Sequence, residues 1–239
     1  MTHIDKTKNK KTIGILGGMG PLASVNLYHK IIKLAQEMYH AEQDTDFPPM
    51  IIYSLPLFGF YETGFKNPTF VKGQLISGVK KLESAGSDFI IIACNTVHYF
   101  YQDMQKAIEI PIISIIKETA KAAHEKGLKV VGLLSSESTN KLGIYQNVLK
   151  DYGITALSVT DKQQDLLNEI ILHVMSGKQN ENDKEYLKII INDLCKQGAQ
   201  GIILGCTELP LAICQDDVGI ELLDSTDIMA KSALQYAFH

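Results

Sequence analysis

Short unbroken apolar runs alternate along this chain with longer stretches in which apolar residues return every three or four positions. The first pattern marks strands buried on both faces, the second amphipathic helices. Runs at 12–16, 50–55, 89–94 and 110–114 predict strands in the first half, and runs at 129–134, 154–159, 201–206 and 220–223 predict strands in the second. Val25, Tyr28, Ile31, Ile32, Ala35 and Met38 recur at helical spacing up to His40. Pro21 suits the first turn of that helix because no amide hydrogen is needed there. Phe70, Val71, Leu75, Val79 and Leu82 predict a second helix closed by Gly86, and further helices are expected over 116–126, 139–152, 165–175, 183–197 and 226–238. Parallel strands need crossover helices, so the alternation predicts an α/β fold.

An internal echo adds the architecture. Residues 85–96 resemble residues 197–208, each ending an apolar run in a cysteine, and residues 12–16 resemble 130–134 at nearly the same offset. The chain therefore reads as two pseudo-symmetric parallel-sheet subdomains with a cleft between them. The first is expected over 12–112, completed by 219–239, and the second over 113–218, with residues 1–11 as a solvated tail carrying four lysines. Cys94 and Cys206 fall at the carboxyl ends of equivalent strands, where open α/β sheets bind ligands.

Composition narrows the function. The 239 residues are 45% hydrophobic and 21% charged with net charge -4, which excludes a disordered or collagen-like chain and points to a globular protein of one large or two small domains. No apolar run approaches the roughly 20 residues of a membrane span. The first residues lack the apolar core of a secretion signal, so a cytoplasmic protein is expected. Four cysteines without a CxxC pair argue against a disulfide scaffold or a zinc site. All 23 basic residues are lysines. The absence of arginine, with the net acidity, argues against nucleic-acid binding.

Two thiols facing each other across a cleft suit inversion of a carbon acid. One thiolate removes the α-proton and the opposite thiol returns a proton from the other face. Unpaired amides after each strand are expected to favour the thiolate, and Asn95, Thr96 and Thr207 offer donors for the carbanion's charge. Cys195 extends a helical stripe with Leu187, Ile190, Ile191 and Leu194 and reads as core, while Cys214 has no supporting motif.

Gly17-Gly18-Met19-Gly20-Pro21, Cys94-Asn95-Thr96-Val97-His98 and Gly205-Cys206-Thr207-Glu208-Leu209 together resemble the aspartate racemase family of the aspartate/glutamate/hydantoin racemase superfamily, over nearly the whole chain from Thr12. The resemblance implies a cofactor-independent two-base racemase, without pyridoxal phosphate or metal, acting on aspartate or glutamate, and a homodimer with the active site between two α/β subdomains. It implies that Cys94 and Cys206 are the acid and base, and that Met19, Asn95, Thr96, Thr207 and Glu208 line the substrate site. Glutamate racemases tend to carry histidine at the position of Glu208, which favours the aspartate branch.

The family's arginine for the side-chain carboxylate is missing, and the position of its lysine falls near Met175. Lys66, Lys178 and His98 are the replacement donors to consider, and a neutral amino acid or a hydantoin is the alternative substrate. His98 stands four residues past Cys94, where it either tunes the thiolate or serves the fold. A rival reading is nucleotide binding, because Gly18-Met19-Gly20-Pro21-Leu22-Ala23 fits the loose fingerprint G-x-G-x-x-G/A. The acidic residue that fingerprint needs at the end of the second strand is absent, since that strand ends Tyr53-Ser54-Leu55. A noncatalytic binding or redox module is a third reading, in which ligand binding survives replacement of either cysteine.

Overall fold

The computed structural model describes residues 10–239, so residues 1–9 of the expected tail lie outside the described residues. The tail's last two residues are tied down, with the Lys11 amide donating to the Ala237 carbonyl at 3.0 Å and Lys10 Nζ to the Thr45 carbonyl at 2.8 Å. The first half contains β1 (Ile13–Gly17), α1 (Pro21–Tyr39), β2 (Met50–Ser54), a hairpin of β3 (Phe60–Tyr61) and β4 (Gly64–Phe65), α2 (Pro68–Ser84), β5 (Phe89–Ile92), α3 (Tyr101–Gln105) and β6 (Ile112–Ile113). After α4 (Ile115–Glu125), the second half contains β7 (Val130–Leu134), α5 (Glu137–Lys141), α6 (Ile144–Asp151), β8 (Thr155–Ser158), α7 (Asp161–Ser176), α8 (Glu181–Lys196), β9 (Gly201–Leu204), β10 (Glu221–Asp224) and α9 (Ser225–Phe238).

Two four-stranded parallel sheets result, ordered β2-β1-β5-β6 and β8-β7-β9-β10. The order is the same in both halves, and so is the register: Gly14 pairs with Ile90 as Gly132 pairs with Ile202. This is the pseudo-symmetry expected from the echo.

Strand alternation divides the apolar residues between layers. Ile13, Ile15, Phe89, Ile91, Val131, Leu133 and Ile203 point into one central core shared by both sheets, filled by apolar faces of α1, α4, α6 and α9. Leu16, Ile90 and Ile92 point the other way, onto α2. Ile202 and Leu204 likewise meet α7 and α8. With both faces covered, the central strands are apolar throughout.

The differences from the sequence reading are local. The helix expected over 139–152 is broken into α5 and α6 by Gly143, whose φ of 64° is a left-handed conformation open to glycine. Helix α7 starts four residues before the expected Asp165, because Thr160 accepts the Gln163 amide and Gln163 returns the bond in a capping box. The strands expected to run to Cys94 and Cys206 stop at Ile92 and Leu204, so both cysteines sit in turns. The C-terminal segment does not complete the first half alone: β10 pairs with β9 in the second sheet, while α9 joins the central core. None of the helices among the described residues is long and apolar enough to cross a membrane.

Candidate active site

Three turns converge at the carboxyl ends of the two sheets. The glycine turn after β1 is closed by Ser24, whose Oγ accepts the Gly18 amide at 2.9 Å and donates to the Gly20 carbonyl at 3.0 Å. The other two turns carry the cysteines, and each enters a short 3-10 helix, Thr96–Phe100 after Cys94 and Leu209–Leu211 after Cys206.

Between the turns lies a cavity of about 140 Å³, well below the roughly 300–1,000 Å³ of sites for drug-sized ligands. Both cysteines line it, with Met19 from the first turn, Asn95 and Thr96 beside Cys94, and Thr207 and Glu208 beside Cys206. The structure thus brings together every residue that the sequence placed in the site. It adds Ser136, Glu62, Leu57, Phe60 and Ile171, and confirms that Met175 reaches the cavity wall. Ser136 follows β7 as Gly18 follows β1, so the internal repeat contained the signal for it. Glu62 stands in the hairpin turn, to which no periodic pattern pointed.

Glu208 joins the halves. Its Oε2 accepts the Cys206 thiol at 3.0 Å and the Thr207 hydroxyl at 3.1 Å, while Oε1 accepts the Gly20 amide across the cleft at 3.2 Å. A Cβ on Gly20 would stand only 3.3 Å from that oxygen, so glycine lets the backbone come this close. The same bond argues against the nucleotide reading, since the turn's Gly20 amide serves a carboxylate instead of a phosphate.

Asn95 is 2% exposed. It accepts the Tyr145 hydroxyl at 2.7 Å and donates to Ser225 Oγ at 3.4 Å, leaving one Nδ2 hydrogen for the cavity. Thr96 Oγ1 lies 2.7 Å from Thr139 Oγ1 and 3.1 Å from Ser136 Oγ. This hydroxyl cluster also spans the two halves.

Burial dominates the thiol acidities. Cys94 is 5% exposed, and its pKa is pushed up to about 12, mainly by desolvation; Glu208 and Glu62 raise it further, against backbone amides of Val97 and Thr96 at the sulfur. Cys206 is raised well above the usual range by burial first and then by the charge of Glu208. Cys94 also contributes to the shift of Cys206, so the two groups sense each other. The expected thiolate stabilisation by amides is present but loses to desolvation.

The replacement donors lie elsewhere. Lys66 Nζ sits 4.8 Å from the centre of the Tyr61 ring, and Lys178 is exposed. His98 lines a separate pocket with Tyr101, Ser114 and Lys117. Its Nδ1 is 2.9 Å from the Cys94 carbonyl, which only accepts, so Nδ1 carries the proton. Burial lowers its pKa to about 4, and Nε2 is buried without a partner. His98 is therefore neutral and supports the Cys94 turn from behind.

Residues 16–233 match the family described as Asp/Glu/Hydantoin racemase. The chain belongs to this family. The broad specificity amino-acid racemase of Bacillus subtilis (strain 168) is 33% identical over 222 residues, covering 93% of this chain and 96% of the relative. Among solved structures, an aspartate racemase homologue from Pyrococcus horikoshii OT3 superposes with TM-score 0.80 at 34% identity, covering 96% of this racemase and all of that chain. Picrophilus torridus aspartate racemase matches with TM-score 0.80 at 28% identity, covering 95% and 94% of the two chains. The protein is accordingly an enzyme of the racemase class with the family's two-subdomain α/β fold.

Proposed function

We propose that this racemase inverts the α-carbon of a free amino acid without a cofactor, using Cys94 and Cys206 as opposed acid and base, and that its substrate's side chain carries no negative charge. The observation carrying the mechanism is the placement of the two cysteines on equivalent turns of the two halves, lining one cavity. Cys94, with backbone amides at its sulfur, is the base in one direction. Its thiolate takes the α-proton, and the electron pair spreads into the substrate carboxylate, where Thr96 and the free Asn95 hydrogen are the donors. Cys206, whose thiol is held by Glu208, gives its proton to the opposite face. The enzyme then stands in the reversed protonation state, ready for the other enantiomer.

The substrate reading rests on charge. The charged residues lining the cavity are Glu62 and Glu208, and the apolar wall includes Leu57, Phe60, Ile171 and Met175. A side-chain carboxylate placed there would be desolvated without a cation, which costs several kcal/mol. The names of the aspartate racemase relatives favour an acidic substrate, and the name of the broad specificity relative favours a wider range; the cavity's charge supports the latter reading. Chiral chromatography after incubation with single enantiomers of aspartate, glutamate, alanine and lysine tests this. Racemisation of alanine or lysine is expected to exceed that of aspartate. Preference for aspartate would overturn the substrate reading, and inversion of none would overturn the activity.

A further inference from the structure

The two carboxylates lining the cavity are in different states. Glu208 accepts from three donors. Glu62 is half-buried, and its carboxylate makes no hydrogen bond or ion pair with any described residue. Its backbone, in contrast, is fixed: the Glu62 carbonyl accepts the Ser138 amide at 3.0 Å and the Ser138 hydroxyl at 2.6 Å. Ser138 is buried at the start of α5, so the hairpin of the first half is pinned across the cleft to the second. An unpaired carboxylate is thereby held at the wall of a cavity that no cation among the described residues lines, beside Leu57, Phe60 and Met175.

We propose that Glu62 is the specificity-determining residue of a side-chain subsite and selects amino acids with a cationic side chain. This rests on the racemase reading above. The match is chemical: such side chains are an apolar stem ending in an ammonium or guanidinium, which fits apolar walls closed by one carboxylate. The stem lies along Leu57, Phe60 and Met175, and the charged end meets Glu62. The α-ammonium, common to all amino acids, is not the group that Glu62 reads.

The test compares wild type and Glu62→Gln on L-lysine, L-ornithine and L-alanine, following racemisation by chiral chromatography and binding by calorimetry on the Cys94→Ser background. Glutamine keeps the shape and the backbone anchor, and thermal melting checks the fold. Removing the Glu62 charge also shifts the Cys94 thiol, which alters all substrates alike, so the readout is the ratio between substrates: KM and Kd for lysine and ornithine relative to those for alanine are expected to rise about 10- to 100-fold, the worth of a charge-assisted hydrogen bond. Equal losses on lysine and alanine would overturn the proposal by assigning Glu62 to the α-ammonium. Turnover of alanine with neither turnover nor binding of lysine would overturn it while leaving the racemase reading intact. Absence of turnover on all substrates, with lysine still bound through Glu62, would overturn the racemase reading alone.

Discussion

Glu208 reaches across the cleft to the Gly20 amide at 3.2 Å, so the residue that holds the Cys206 thiol also ties the two halves of the molecule together. One carboxylate therefore joins a contact between the halves to the surroundings of the Cys206 thiol. Because both cysteines are displaced upward partly by this charge, Glu208→Gln lowers both thiol pKa values. Iodoacetamide labelling of Cys94 and Cys206 at pH 7.5, read by peptide mass spectrometry, should accelerate several-fold in the variant. Unchanged labelling would mean that Glu208 does not set their acidity.

The same shifts predict a pH dependence. A thiol pKa raised to about 12 leaves Cys94 protonated at neutral pH, so its thiolate fraction grows about tenfold per pH unit until the pKa is approached. Labelling of Cys94 in the free enzyme should rise in that proportion from pH 7 to 9, whereas an ordinary cysteine with a pKa of about 8.5 levels off across this range.

Cys94→Ser and Cys206→Ser should each lower kcat by about 10²–10⁴-fold, the range of general acid–base catalysis. The melting temperature should change little, because serine nearly matches cysteine in size and both positions border the cavity. Full activity in either variant contradicts the two-base assignment.

Met175 stands near the position of the lysine that the resemblance implies, on the cavity wall yet 43% exposed. A lysine there keeps contact with water and avoids the cost of burial. Met175→Lys should raise kcat/KM for aspartate at least about tenfold, the worth of roughly 1.4 kcal/mol, as measured by chiral chromatography.

Tyr145 is fully buried and donates to Asn95. Tyr145→Phe leaves that amide oxygen without its donor, so we expect a stability loss of about 1–3 kcal/mol in denaturant melts and a kcat reduced about tenfold as the Cys94 turn loosens.

Much of this was legible in the chain. The alternation of runs and helical stripes predicts both sheets, because strands covered on both faces must be apolar throughout. The repeat around Cys94 and Cys206 predicts their convergence, and the family motifs indicate Met19, Asn95, Thr96, Thr207 and Glu208. What periodicity does not carry is the loop after β2. Glu62 enters the cavity through a hairpin turn anchored by the distant Ser138, a contact with no local signature. The thiol acidities depart from the sequence expectation for a related reason: amide fields follow from local sequence, whereas desolvation depends on the closed tertiary structure. Lys66 and Lys178 had suitable charge but not position, since side-chain reach is decided by how the loop packs.

The most direct test of two opposed thiols is the isotope pattern of the first few turnovers in deuterated water, starting from one enantiomer of the best substrate and followed by mass spectrometry after chiral separation. Removal and return on opposite faces predict product carrying deuterium at Cα while the remaining substrate keeps its protium. Protium retained in the product, or deuterium entering the remaining substrate as fast as product forms, would show one base serving both faces and would contradict the assignment of Cys94 and Cys206.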